Sequence, residues 1–278
     1  MSGSHVAGSS GRNRRAGQAT RWRGAICSRM VWLAMFKLNP ANDPTLLSAD
    51  YALRKRGQVK DFFDPQTAEE IHRRLMEVDW WLTYNEGSEV QQWPPQDLRN
   101  LQPQQAAEIQ REVYRGAQSG YQFLYNYYPL FAAYFSPKIP PMSLFPVYEF
   151  INSEPFLEFA RTLTGLENIR WADGQATLYR ATHFLKVHTD EVKAEQRLAA
   201  YVLNFTRDWD TDWGGLLQFW DRKGDIEQAF RPAFNALNIF TVPQPHSVSA
   251  VTPYAPGLRL SITGWLRADE PPKAFPAR

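Results

Sequence analysis

FLKVHTDEV, residues 184 to 192, has the texture of a strand running into a turn. Side chains two apart in a strand lie on one face, so His188 and Asp190 can converge on a single ion. Taken alone the pair is weak evidence, because a structural histidine beside a turn aspartate explains most matches to so short a pattern. Its meaning depends on what the rest of the chain supplies.

The flanking sequence supplies strands. After Gly165, the runs QATLYRA, FLKVHTD, RLAAYVLNFT, GGLLQFW, FNALNIFTV, HSVSAV and LRLSITGWLR are short and rich in β-branched and aromatic residues, with turns at DTDWGG, DRKGD and PYAPG between them. Seven or eight consecutive strands predict a sandwich or barrel, with the preceding helices packed on one face. Upstream, QVKDFFDPQTAEEIHRRLMEV reads as a strand, a turn and an amphipathic helix: Asp64 is placed to cap it, Pro65 fits its first turn, and Ile71, Leu75 and Val78 share a face. Further helices are expected from about Pro103 to Gln118 and in INSEPFLEFARTLTG, the latter capped by Asn152 or Ser153 and stopped by Gly165. The aromatic stretch GYQFLYNYYPLF reads as core, since a base-stacking platform would interleave Lys and Arg. The segment around Gly87 to Asn100, with Trp93, reads either as a lid or as an ordinary surface loop, and TRDWDTDW is expected beside the mouth of any pocket.

The expected organisation is a disordered basic tail over 1–37 and one domain over 50–278, with helical support at 50–165 and a β core at 166–270. Folding is expected to begin near Leu53. The net charge of +2 conceals a division: residues 1–37 hold seven cations and no acid, which leaves the remainder net acidic by about five charges. A nucleic-acid binder would carry its positive charge on the folded body, so nucleic acid is not expected as a partner. The single cysteine, Cys27, rules out an intrachain disulfide and a four-cysteine metal site. The most apolar N-terminal run, MVWLAMF, is seven residues long, too short to span a bilayer, so no membrane association is expected. The reading is cytoplasmic, with a short Arg-rich targeting sequence as the alternative.

Two later segments complete a constellation. VPQPHSV places His246 at the start of another strand, and GLRLSITGW places Arg259 on the last one. Two histidines and one carboxylate can hold Fe(II) on one face and leave positions open for a co-substrate and O2. Zinc could occupy the same ligands, but hydrolysis would need an adjacent acid or base that the sequence does not display. Alternation puts Arg259, Ser261, Thr263 and Trp265 on one face of the strand and Leu258, Leu260 and Ile262 on the other. A bidentate cation followed by two hydroxyls suits the distal carboxylate of 2-oxoglutarate.

On these residues, the stretch from about Gln175 to Arg267 resembles the catalytic core of the Fe(II)- and 2-oxoglutarate-dependent dioxygenases, in their prolyl 4-hydroxylase-like branch. The resemblance is carried by HTD, Arg197 opening RLAAYVLN, WGGLLQF, FNALNIF, PHSV and RLSITGW. It implies an α+β, mainly β fold, a distorted double-stranded β-helix of the jelly-roll, cupin-like kind. It implies His188, Asp190 and His246 as iron ligands, Arg259 as the 2-oxoglutarate anchor, Tyr179 beside the co-substrate and Trp265 on the pocket wall. A further implication is hydroxylation of a C–H bond, of a prolyl residue in a peptide or protein, with succinate and CO2 as co-products and ascorbate as a stimulant. Free proline or another small molecule is the alternative acceptor, and a catalytically dead barrel acting as a binding module is the non-enzymatic one. Relatives with a pocket tyrosine on the strand after HTD have Val202 at that place here, with Tyr201 turned away. The second contact to the carboxylate therefore falls to Tyr179, Thr263 or Ser261. His183 and His72 are read as structural. RLSITGWLR fails the Arg-x-Asn-x-Thr-x-Arg pattern expected of a nucleic-acid demethylase, with Trp265 where its second arginine would stand, and oligomeric state is not legible.

Overall fold

The computed structural model describes residues 36–139, 142–192 and 194–272; most of the basic tail, Cys27 included, lies outside them. In chain order the elements are α1 (Pro44–Arg54), β1 (Arg56–Lys60), α2 (Pro65–Met76), β2 (Trp81–Glu86), β3 (Glu89–Trp93), α3 (Pro95–Arg99), α4 (Pro103–Ser119), β4 (Phe123–Tyr128), α5 (Leu130–Phe135), α6 (Phe145–Ile151) and α7 (Glu154–Thr164). The strand-rich half follows, with β5 (Trp171–Ala172), β6 (Gln175–Tyr179), β7 (Phe184–His188), β8 (Arg197–Phe205), β9 (Leu217–Trp220), β10 (Ile226–Phe230), β11 (Phe234–Thr241), β12 (His246–Val248) and β13 (Arg259–Arg267).

The strands join one antiparallel sheet in the order β1-β11-β8-β13-β6-β4-β7-β12-β9-β10. Its path curls until the two ends meet through side chains: Arg56 on β1 reaches Gln228 and Glu227 on β10. The expected mainly-β barrel with helices on one face is the observed architecture. Strand alternation separates its two surfaces. Ala176, Leu178, Tyr201, Leu203, Leu260, Ile262 and Leu266 point to the helices and form the main core with Phe62, Ile71, Leu75, Tyr148, Phe156 and Leu163. The intervening residues point the other way, into a cavity. Gly264 interrupts the apolar row of β13 because a Cβ there would stand 2.3 Å from the Asp173 carbonyl oxygen. That oxygen in turn accepts from the Tyr201 hydroxyl at 2.7 Å. Tyr201 is thus turned from the cavity, as expected, but lies fully buried beneath α7.

Local signals behaved as their chemistry requires. Asp64 accepts from the Gln66 and Thr67 amides at the start of α2, and Gly165 ends α7 in the left-handed region at φ 71°. Two expectations are corrected. Folded structure begins upstream of Leu53: Phe36 is buried in the main core, Leu38 bridges to Phe63, and α1 starts at Pro44 behind an Asp43 cap. The stretch around Trp93 is a hairpin, β2 paired with β3, and Trp93 packs against Leu82 and Tyr84 away from the cavity. Among the described residues no helix is long and apolar enough to cross a membrane.

Candidate metal centre

His188 ends β7 and His246 opens β12, and antiparallel pairing makes the two residues direct partners, their rings 4.1 Å apart. Asp190 stands in the turn after β7 at φ 61°, a left-handed conformation that aspartate tolerates better than most residues. Arg197 at the head of β8 donates to the Asp190 carbonyl at 3.2 Å and so holds that turn. The result brings His188 Nε2 to 3.2 Å from one Asp190 oxygen and His246 Nε2 to 3.2 Å from the other. Among the described residues this trio is the one cluster of His, Cys, Asp and Glu whose ligand atoms lie close enough together to hold a metal ion.

The hydrogen bonds on the far sides of the rings fix what the near sides present. His188 Nδ1 lies 2.9 Å from the Lys186 carbonyl and His246 Nδ1 lies 2.8 Å from the Gln244 carbonyl. A carbonyl only accepts, so each Nδ1 donates, and Nε2 is the nitrogen that each ring turns toward Asp190. Two imidazole nitrogens and a carboxylate thus converge on one point, a donor set suited to a metal ion. Burial alone would raise the Asp190 carboxyl, but its contacts with the two imidazoles outweigh burial and hold it below the usual range.

The cavity behind the trio has a volume of about 430 Å³. β13 contributes Arg259, Ser261, Thr263 and Trp265 to its wall, the row expected from alternation. Arg259 is 3% exposed, and its Nε has no hydrogen-bond partner among the described residues. Burial pulls the guanidinium below its usual range, opposed by Tyr179, whose ring lies 4.8 Å from the Arg259 Cζ. Tyr179 is pushed well above the ordinary phenol value, first by burial and then by Tyr125, so its hydroxyl keeps a proton to donate. Thr263 is differently placed: its hydroxyl donates to the Tyr201 carbonyl at 2.9 Å and has no proton left for a ligand. Ser261 shares a hydrogen bond with Thr177 at 2.7 Å, and Val202 lines the cavity as expected. Trp265 carries the Arg197 guanidinium on its face at 3.5 Å.

Three placements were not foreseen. Tyr121 and Tyr125, read as core, line the cavity, with the Tyr121 ring 5.6 Å from that of His188 and the Tyr125 ring stacked 5.1 Å from Tyr179. Their shared parity, four positions apart across the start of β4, was the available signal. Within TRDWDTDW, Trp209 is buried and packs with Trp213 and Tyr179, closing the Arg259 end of the cavity where a position at the mouth was expected.

His72 and His183 are structural. His72 donates to the Phe205 carbonyl, and burial, with Arg180 adding, pushes His183 down to about 3. A histidine kept neutral in the fold but titrating near 6.5 when unfolded adds stability that is full above about pH 6.5 and is lost as pH falls toward 3. His183→Gln should therefore flatten the denaturation midpoint between about pH 6.5 and 4, where the parent loses on the order of a few kcal/mol. Parallel midpoint-against-pH curves for the two proteins would rule this out.

Comparison with known proteins agrees with this geometry. Residues 174–267 match the family model of the 2OG-Fe(II) oxygenase superfamily. Mouse prolyl 3-hydroxylase OGFOD1 is 31% identical over 119 residues, 40% of this chain, and the chain covers 21% of that protein's length. A Pseudomonas putida prolyl-4-hydroxylase superposes with a TM-score of 0.50 at 17% identity, over 82% of this chain and 100% of that one. A Trichoplax adhaerens prolyl hydroxylase, solved with a hypoxia inducible factor oxygen degradation domain peptide fragment, superposes with a TM-score of 0.50 at 10% identity, over 92% and 94%. At these identities the structural likeness establishes the double-stranded β-helix fold.

Proposed function

We propose, from the match of residues 174–267 to the 2OG-Fe(II) oxygenase superfamily model, that the chain is an Fe(II)- and 2-oxoglutarate-dependent dioxygenase hydroxylating a prolyl residue of a peptide or protein. The observation that carries the metal assignment is the convergence of the two Nε2 atoms, each with its Nδ1 engaged by a carbonyl, on the Asp190 carboxylate. His188, Asp190 and His246 would hold the ion on one face. With Fe(II) bound there, 2-oxoglutarate is oxidatively decarboxylated to succinate and CO2, one oxygen atom of O2 entering succinate and the other the C–H bond.

The remaining roles belong to the chain's own groups. Arg259 takes the distal carboxylate of 2-oxoglutarate through charge-assisted hydrogen bonds. Tyr179, held protonated by its burial, donates the second contact. Thr263 is left to accept, and Trp265 and Val202 form wall. The closed end made by Trp209, Trp213 and Val251 excludes water behind the guanidinium. The prolyl acceptor is supported by the names of the relatives, and the half-exposed Tyr121 and Val192 offer apolar surface for it at the rim. We place the reaction in the cytoplasm, without nucleic acid or membrane as partner.

The test incubates the full chain with Fe(II), ascorbate, O2 and labelled 2-oxoglutarate, with proline-containing peptides in one arm and free proline in another. Succinate should form, and the peptide should gain the mass of one oxygen atom. His188→Ala should lower both by about a hundredfold or more. Succinate no higher than in the His188→Ala reaction in every arm would refute the proposal, and oxygen gained only by free proline would move the acceptor to a small molecule.

A further inference from the structure

We infer that Arg56 with Gln244, and independently Lys186, are positioning residues that aim the two metal-facing histidines, an inference that rests on the metal-binding reading above. Both histidines use one local device: each donates its Nδ1 proton to the carbonyl of the residue two positions earlier, Lys186 for His188 and Gln244 for His246. A backbone carbonyl can swing with its peptide plane. In both places the side chain of the same residue is anchored to a distant part of the chain, so the plane is held from two sides.

For His246 the anchor is Arg56, which opens β1 and lies outside the segment matching the oxygenase superfamily. Its side chain is 7% exposed and all three nitrogens are engaged. Nε donates to Gln228 at 2.9 Å, Nη2 to the Glu227 carboxylate at 2.6 Å, and Nη1 to the Gln244 side-chain oxygen at 3.0 Å. The Gln244 amide nitrogen donates to the Lys55 carbonyl at 2.8 Å and to the Thr241 carbonyl at 3.1 Å. Arg56 also covers Phe219, its Cζ 4.7 Å from the ring centre. Phe219 is the cross-strand partner of His246 and packs edge-on at 5.1 Å against Phe240, whose ring is 4.6 Å from the imidazole. The guanidinium thus fixes the acceptor on one side of His246 and the aromatic wall on another.

For His188 the anchor is the end of α4. The Lys186 ammonium donates to the Ala117 and Gly120 carbonyls, each at 2.6 Å. These are carbonyls at and just beyond the C-terminal turn of the helix, where a cation is favoured. Both anchors come from the N-terminal half, which gives that half a part in the metal site as well as in the core. Fixing the Nδ1 partner of a ligand histidine sets its tautomer and its direction, and loss of such partners typically weakens metal binding by about ten- to a hundredfold.

The test titrates the full-length protein with Mn(II), reading free Mn(II) by electron paramagnetic resonance without turnover, beside thermal melts. Gln244→Leu, Arg56→Met and Lys186→Met should each weaken Mn(II) binding by about tenfold or more. Lys186→Arg, which keeps a cation for the two carbonyls, should retain most of the affinity. Glu227→Gln breaks the ion pair but leaves the Arg56–Gln244 bond, so it should lower the melting point with little change in affinity. If Arg56→Met does not fold, Gln244→Leu and Lys186→Met carry the result. Folded variants binding Mn(II) within twofold of the parent would overturn the inference. A parent that does not bind Mn(II), or a His246→Ala variant that binds it as the parent does, would instead overturn the reading of the site itself.

Discussion

Arg259→Gln is expected to abolish 2-oxoglutarate-dependent turnover while leaving the ligand-free protein at least as stable as the parent. The two halves of that result have one cause. The guanidinium is 3% exposed, and among the described residues its Nε lacks a partner and no acid is paired with it, so the fold holds an almost dry cation. Keeping an ion in such a place costs several kcal/mol, softened here by the Tyr179 ring and by the polar space of the cavity. Glutamine removes the charge, fills much of the volume and keeps a donor, so the apo protein loses nothing and its melting point should hold or rise. The ligand carboxylate, in contrast, loses a buried charge-assisted pair, an interaction whose truncation costs about 2–5 kcal/mol. That corresponds to between about thirtyfold and several-thousandfold weaker 2-oxoglutarate binding. Calorimetric titration of 2-oxoglutarate into the Mn(II)-loaded proteins under anaerobic conditions measures this directly. A variant that melts several degrees lower yet binds 2-oxoglutarate normally would show Arg259 to be a structural residue.

What could be read from the sequence divides along a physical line. The barrel and the site trio were legible because they are written in short-range patterns: alternation along β13 sorts Arg259, Ser261, Thr263 and Trp265 from Leu260 and Ile262, and His188 and Asp190 are two residues apart. His246 needed chain order alone. Contacts that arise where distant elements meet were not legible. Arg56 sits 171 to 188 residues from the partners it joins, and nothing in RGQVK announces a clamp. Tyr121 and Tyr125 were taken for core because a strand dense in aromatics looks alike whether its face meets helices or a cavity. The start of folding was placed late for a related reason. Only Tyr51 of α1 is buried, so that helix has no apolar stripe, although Asp43 and Pro44 spell out its beginning.

The glycine pair of WGGLLQF was read as part of a family pattern, and the structure gives its first member a steric reason that leads to the second expected result. Gly214 has φ 69° and ψ −142°, a conformation in which side chains are strongly disfavoured. A Cβ there would stand 2.1 Å from the Ala250 carbonyl oxygen, which is backbone and cannot rotate aside. The same residue bridges to Val251 and accepts from the Trp209 indole at 2.9 Å. Trp209 is held again by Arg231, which donates to its carbonyl. Through Gly215, whose added Cβ would meet Trp209 at 3.1 Å and Arg259 at 3.2 Å, the turn presses against the buried guanidinium. Gly214→Ala must therefore move either the turn or the 250–252 segment, and both hold the closed end of the cavity. A loss of about 3 kcal/mol or more is expected, a fall of roughly 6–12 °C in melting point, together with a higher KM for 2-oxoglutarate. Gly224→Ala separates this from the general cost of alanine at positive φ: Gly224 has φ 90° with nothing within 4 Å of its added Cβ. It should lose only about 1 kcal/mol and leave KM unchanged. Equal losses at the two glycines would show that conformation alone sets the cost and that the Ala250 contact does not constrain the site.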